Sequence, residues 1–155
     1  MGLNDDIAAM GRVPTLALLE HDALRLLAFA AETRILRAGD VLFRRGDESD
    51  AGFIVVSGAI ALDARDDGSP ASYVAGPGTL VGELALLVPV VRPATAIARE
   101  SSTVLRLSRT LVHRVLAEFP RSAVALRQAL SERLATFSRE LAALGEVIGA
   151  PERRA

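Results

Sequence analysis

Cysteine, lysine and tryptophan are all absent from this sequence. Without cysteine there is no disulfide, no thiolate zinc site, no iron–sulfur cluster and no thiol nucleophile. Without lysine there is no Schiff-base amine and no Walker-type phosphate lysine, and all 18 basic side chains are arginine. Only His21 and His113 offer an imidazole. Excess charge is missing too: 18 basic against 19 acidic groups leave a formal charge of −1, which gives no general footprint for nucleic acid. No apolar run approaches the roughly 18 residues of a membrane span. Met1 to Met10 carries Asp5 and Asp6 without a basic region, unlike a secretory signal. A cytoplasmic protein that neither spans a membrane nor contacts nucleic acid directly is the expectation. What is present, 155 residues of which 50% are apolar, describes one domain. A chain of this size buries about two thirds of its unfolded surface and needs neither disulfide nor metal for its core.

From Val13 to Ala31 the residues Leu16, Leu19, Leu24, Leu27 and Phe29 recur at helical spacing among Glu20, His21, Asp22 and Arg25. The pattern changes at Thr33. Short β-prone pieces follow at Arg34–Leu36, Val41–Phe43, Phe53–Val56, Ile60–Ala64, Ser72–Val74, Ala94–Ala98 and Val104–Leu107. They are separated by Gly39-Asp40, Gly46-Asp47, Ser57-Gly58, Asp67-Gly68 and Gly76-Pro77-Gly78, with Asp67-Gly68 the best hairpin signal. Closely spaced short strands of this kind indicate an antiparallel sandwich or roll. Helical patterning returns in Leu111–Phe119 and again after Pro120. There Leu130, Leu134, Phe137, Leu141, Leu144 and Ile148 form a heptad-like seam spaced 4, 3, 4, 3, 4. Its first half suits packing on the roll; its second half suits a partner helix, because the seam reaches about 27 Å at 1.5 Å per residue. The domain therefore reads as a helical segment over 1–32, a roll over 33–108 and C-terminal helices over 109–149, with a frayed tail beyond.

The stretch Val81 to Ala98, VGELALLVPVVRPATAIA, carries the chemistry. Gly82 permits close backbone approach, and Glu83–Leu87 can form a helical turn whose free N–H groups attract an anion. Glu83 would repel that anion, so its carboxylate suits another task, such as accepting ribose hydroxyls. Arg92, nine residues on, offers a planar fork for phosphate, and Pro93, Ala94 and Thr95 keep bulk low around a ligand. These groups suit a sugar phosphate. A surface ion pair of little worth between Glu83 and Arg92 is the bland alternative.

Gly82-Glu83-Leu84-Ala85 followed by Arg92-Pro93-Ala94-Thr95 resembles the phosphate-binding cassette of the cyclic-nucleotide-binding domains, shared by the bacterial catabolite activator protein, protein kinase A regulatory subunits and cyclic-nucleotide-gated channels. Leu36 to Phe43, Gly46-Asp47, Phe53 to Val56, Gly58 and Gly76-Pro77-Gly78 resemble its strands and corners in the same order, over about Leu16 to Phe137. The resemblance implies an α+β fold, an eight-stranded antiparallel jelly-roll-like β-roll with N-terminal helices and two C-terminal helices, and a cassette at 81–95. It implies a ligand site of Gly82, Glu83, Leu84, Ala85, Arg92, Pro93, Ala94 and Thr95. In it Glu83 takes the ribose 2′-hydroxyl, Arg92 neutralises the cyclic phosphate and the Leu84 and Ala85 amides assist. The C-terminal helix would close over the base, with Arg127, Arg133 and Leu134 as lid candidates. Pro93 has no N–H, which weakens backbone donation to phosphate; it also has no hydroxyl, where cGMP-selective members of that family commonly carry Thr, so the resemblance leans toward cAMP, with cGMP the alternative. Pro89-Val90-Val91 is apolar where relatives are often polar.

No cofactor, metal or catalytic residue is expected. His113 reads as structural or exposed, His21 beside Asp22 as a helix cap, and Asp63, Asp66 and Asp67 as a solvated turn lacking the spacing of a calcium loop. Arg44-Arg45 reads as a surface feature or a positive field near the pocket. The leading expectation is a cyclic nucleotide sensor, homodimeric through its C-terminal helix, acting on an unidentified protein effector. The chain carries no helix-turn-helix or enzyme domain after the seam, so it is expected to act in trans or as part of a longer protein. The alternatives are an interaction module that kept the roll and lost the ligand, and the sensor half of a transcription regulator. A small hydrolase ranks last, for want of any catalytic constellation.

Overall fold

The computed structural model describes residues 2–63, 71 and 73–148, the side chains of 137, 138 and 140–148 excepted. Helix α1 (Leu3–Gly11), a 3-10 turn (Leu16–Leu18) and α2 (His21–Ala30) precede the strands. Eight strands follow: β1 (Glu32–Leu36), β2 (Val41–Phe43), β3 (Ala51–Ser57), β4 (Ile60–Asp63), β5 (Tyr73–Ala75), β6 (Leu80–Val81), β7 (Thr95–Ala98) and β8 (Ser102–Ser108). Between β6 and β7 lies a short 3-10 helix, Glu83–Leu86; α3 (Arg109–Glu118) and α4 (Pro120–Ile148) end the fold. The strands form two antiparallel four-stranded sheets, ordered β1-β8-β3-β6 and β2-β7-β4-β5. This is the expected eight-stranded roll with helices before and after it.

β3 explains how the layers join. Phe53 and Val55 face the roll interior, where they pack with Leu36, Val81 and Val104 of their own sheet and Ile60 and Ala96 of the other. Ile54 points the opposite way, into a second core with Leu105 and Leu107 of β8 and the buried faces of α2, α3 and α4. A strand buried on both faces reads as the unbroken apolar run seen here, not as an alternating one. Pro120 opens α4, where a missing N–H costs nothing. The Ser108 hydroxyl caps α3 by accepting from the Leu111 amide at 3.0 Å.

Several sequence expectations shift. The segment Val13–Ala31 is not one helix: it breaks at Leu19, whose backbone is extended, and α1 lies before it. Phe29 is 78% exposed, because a residue two positions beyond buried Leu27 falls on the opposite side of a 3.6-residue helix. His21 is the first helical residue of α2, not its cap; Glu20 holds the cap position without a side-chain bond, and its amide donates to Ser122 Oγ at 2.9 Å. The two-residue β6 was missing from the sequence reading because it is too short for a period. Asp66, Asp67-Gly68 and Ser72 lie outside the described residues, as do the side chains of Phe137, Leu141, Leu144 and Ile148. In the described part of the seam Leu130 is buried, and Leu134 is 51% exposed.

Leu105→Ala empties a fully buried site in the helix-facing core and is expected to cost about 2–5 kcal/mol of unfolding free energy, read by urea denaturation with an unchanged m-value.

Candidate functional site

The chain between β6 and β7 leaves the sheet at Gly82, makes the 3-10 turn, and returns at Arg92. Gly82 starts it with φ +78°, left-handed backbone that glycine adopts without strain. A Cβ on Gly82 would also stand 2.5 Å from Arg92 Nη1. Gly52 on β3 is required for a related reason: a Cβ there would meet Leu86 Cδ2 at 2.9 Å, where the 3-10 turn seats against the strand. The return is pinned to residues 46–49. Arg92 N–H donates to Asp47 O at 2.8 Å, Gly46 N–H to Arg92 O at 2.9 Å, and Ser49 N–H to Val90 O at 3.1 Å. The Val90 amide donates to Ser49 Oγ at 3.1 Å.

Arg92 is thereby folded inward. It is only 4% exposed. Its guanidinium lies over the Phe43 ring, 4.2 Å from the centroid, and 5.7 Å from that of Phe53. Nη2 donates to the Ala51 carbonyl at 2.6 Å. Burial holds its pKa below the ordinary arginine value, opposed by the nearby charges of Asp50 and Asp47. Among the described residues no carboxylate is hydrogen-bonded to it. Asp50, the carboxylate whose charge acts most strongly on it, instead accepts from Arg106 at 2.8 Å.

Arg92 lines a cavity of about 340 Å³ together with Phe43, Leu62, Val81, Gly82, Glu83, Leu84, Ala85, Val90, Val91, Pro93 and Ala94. Seven of the eight residues singled out from sequence thus share one cavity. Thr95 does not line it: it is buried at the start of β7, where its hydroxyl accepts from the Arg45 amide at 3.0 Å. The apolar Pro89-Val90-Val91 is not packed away, since Val91 is 62% exposed and Val90 sits in the cavity wall.

The partners of Glu83 were not foreseen. One carboxylate oxygen accepts from the Thr15 hydroxyl and the other pairs with Arg133 of α4. The bland expectation of a Glu83–Arg92 ion pair is therefore not met. Arg133 reaches the cassette from α4, whereas Leu134 and Arg127 lie on exposed parts of that helix. Thr15 gave no signal in the sequence, because only the folded chain brings the 3-10 turn at Leu16 to the cassette. Of the two amides expected to face a phosphate, that of Ala85 is engaged by the Gly82 carbonyl at 3.2 Å, closing the first turn. A larger, more open groove of about 490 Å³ runs from Pro14, Thr15 and Leu18 to Ala129, Glu132, Arg133 and Thr136.

A small cavity with one buried cation at its wall and a carboxylate at its edge is what a phosphorylated sugar needs. The family profile described as "Cyclic nucleotide-binding domain" matches residues 33–119. The chain belongs to this family. Among solved structures, this cyclic nucleotide-binding domain is similar to a cyclic nucleotide-binding-like protein from Brucella abortus at 39% identity, covering 73% of this chain and 98% of that one with a TM-score of 0.66. It is also similar to the N-terminal domain of a transcriptional regulator from Streptomyces coelicolor, at 30% identity, covering 86% and 94% of the two chains with a TM-score of 0.76. A segment of the lysophospholipase nte1 of Neurospora crassa is 32% identical over 111 residues, 70% of this chain but 7% of that protein. No described helix is long and apolar enough to cross a membrane.

Gly82→Ala forces a side chain onto left-handed backbone and into the Arg92 guanidinium. It is expected to cost about 1–3 kcal/mol, measured by chemical denaturation.

Proposed function

We propose that this domain is a non-enzymatic sensor of a cyclic nucleotide, cAMP in preference to cGMP, that reports occupancy through α4 to a second copy of itself or to another protein. The observation that carries this reading is Arg92, a guanidinium withdrawn from water, laid on Phe43 and lacking a bonded carboxylate among the described residues. A buried cation without a bonded anion is costly. A cyclic phosphate in the adjoining cavity supplies the missing charge, and the guanidinium fork matches its geometry. Such a charge-assisted bond is worth on the order of 1.5–3 kcal/mol, a tenfold effect on affinity or more.

Glu83 supports the signalling half. A carboxylate offers about four acceptor positions, and Thr15 and Arg133 draw on both of its oxygens. A ribose hydroxyl arriving at Glu83 shares the carboxylate's charge with these donors and weakens each bond, so occupancy loosens the tie between cassette and α4. The ligand biases the helix only by its differential affinity for the tied and released arrangements. Leu134, exposed one step beyond buried Leu130, is the start of the seam on which a second α4 would pack. The preference for cAMP rests on Pro93 in the cavity lining, which has no hydroxyl to meet the amino group of guanine. A cytoplasmic setting, without cofactor, metal or nucleic acid, belongs to the same proposal.

One observation favours a second reading. Glu83 and the Ala85 amide are already engaged by protein, as they would be in an interaction module that has given up its ligand. Thermal unfolding with cAMP, cGMP or neither separates the two. At 100 times its dissociation constant a ligand adds about 2.7 kcal/mol, roughly 5–10 °C for a domain of this size. The sensor reading expects that rise with cAMP, a smaller one with cGMP, and no more than about half of it in Arg92→Ala, where the affinity is at least tenfold lower. An unchanged melting temperature with millimolar nucleotide rejects it in favour of the interaction module.

A further inference from the structure

We propose that Arg109, supported by His113, is the positioning residue of the ligand site: it touches no ligand but holds both strips of backbone that form the Arg92 pocket. The proposal rests on the cavity being a ligand site, as argued above, and adds a residue outside the cavity. Arg109 is the first residue of α3. Its Nη1 donates to the carbonyls of Ala85 at 3.0 Å and Val88 at 3.1 Å, and its Nη2 donates to the Ser49 carbonyl at 2.9 Å. Its own amide donates to Asp50 O at 2.8 Å. One turn further along α3, His113 Nε2 lies 2.9 Å from Leu87 O. Because a carbonyl only accepts, that bond places the imidazole proton on Nε2.

The carbonyls of 85, 87 and 88 sit at and beyond the end of the 3-10 turn, where no further helical N–H follows to meet them. α3 supplies the donors from outside. The choice of arginine matters, because a rigid planar fork fixes two separate segments in one geometry, which an ammonium on a flexible stem does not. Those segments are the ones that place Arg92. Residues 47–51 bond the Arg92 amide through Asp47 O and the guanidinium through Ala51 O. The strip 82–91 supplies Gly82, against which Nη1 sits, and the Val90–Ser49 bonds. Arg109 therefore ties the cavity wall to α3, whose Val112, Val115 and Leu116 are buried in the same core as α2 and α4. A ligand that draws the cassette inward also pulls on α3.

The test combines hydrogen–deuterium exchange with nucleotide titration on wild type, Arg109→Ala, Arg109→Lys and Arg92→Ala/Arg109→Ala. In the ligand-free protein, Arg109→Ala is expected to speed exchange of the 85–91 amides at least tenfold while β1 and β8 keep wild-type rates. It should weaken cAMP at least tenfold, with Arg109→Lys recovering only part of either effect. In the Arg92→Ala background the same change should cost no more than about twofold, because the group being positioned is gone. Faster exchange throughout β3, β8 and α2 would assign Arg109 a general stabilising role and overturn the proposal. So would unchanged cassette exchange, or an affinity loss undiminished without Arg92. If wild type binds no nucleotide, the sensor reading fails by itself, and localised exchange in the ligand-free protein still decides whether Arg109 positions the cassette.

Discussion

The guanidinium of Arg92 against the Phe43 ring is the contact on which the rest of the site depends. An arginine taken this far out of water must find donors' partners and a polarisable surface at once. β2 provides the ring, β3 provides the Ala51 carbonyl, and Gly82 provides the absence of a side chain where Nη1 lies. Remove any of these and the cation has no place inside the roll. The residual demand, an anion, is left to the cavity.

Two further arginines hold what Arg92 needs held. Arg106 on β8 fixes Asp50, which keeps that carboxylate near Arg92 without bonding it, and Arg109 fixes the carbonyls of both cassette-bearing strips. A chain that lacks lysine does this work with planar forks, which hold geometry as well as charge. Glu83 is held at the edge of the cavity between Thr15 and Arg133, so the cassette touches the helical layer on two sides: α4 through Glu83, and α3 through Arg109 and His113.

The helical layer shares a core with β3 and β8. Ile54, Leu105 and Leu107 interlock with α2, α3 and α4, while Phe53 and Val55 of the same strand line the roll interior next to Phe43. On the proposed reading, a displacement at the cassette would be applied to packed side chains, which transmit strain because interiors are close-packed.

The roll and the cassette were legible in the sequence for local reasons. Glycines at forced turns, β-branched runs and the Gly-Glu-Leu-Ala and Arg-Pro-Ala-Thr segments follow from a few neighbouring residues, and the fold carried every residue of those two segments but Thr95 to one cavity. The apolar run Phe53–Val56 likewise marked a strand, but did not show that both of its faces would be covered. The sequence could not show that Thr15 and Arg133, 68 and 50 residues from Glu83, would meet its carboxylate. Nor could it show that Arg109 would reach carbonyls at 49, 85 and 88. Backbone carbonyls carry no residue-type signature, and a side chain's partners across a core depend on how helices seat against the sheet. Local chemistry determined which groups this protein possesses; tertiary packing decided which of them face the cavity and which are tied to one another.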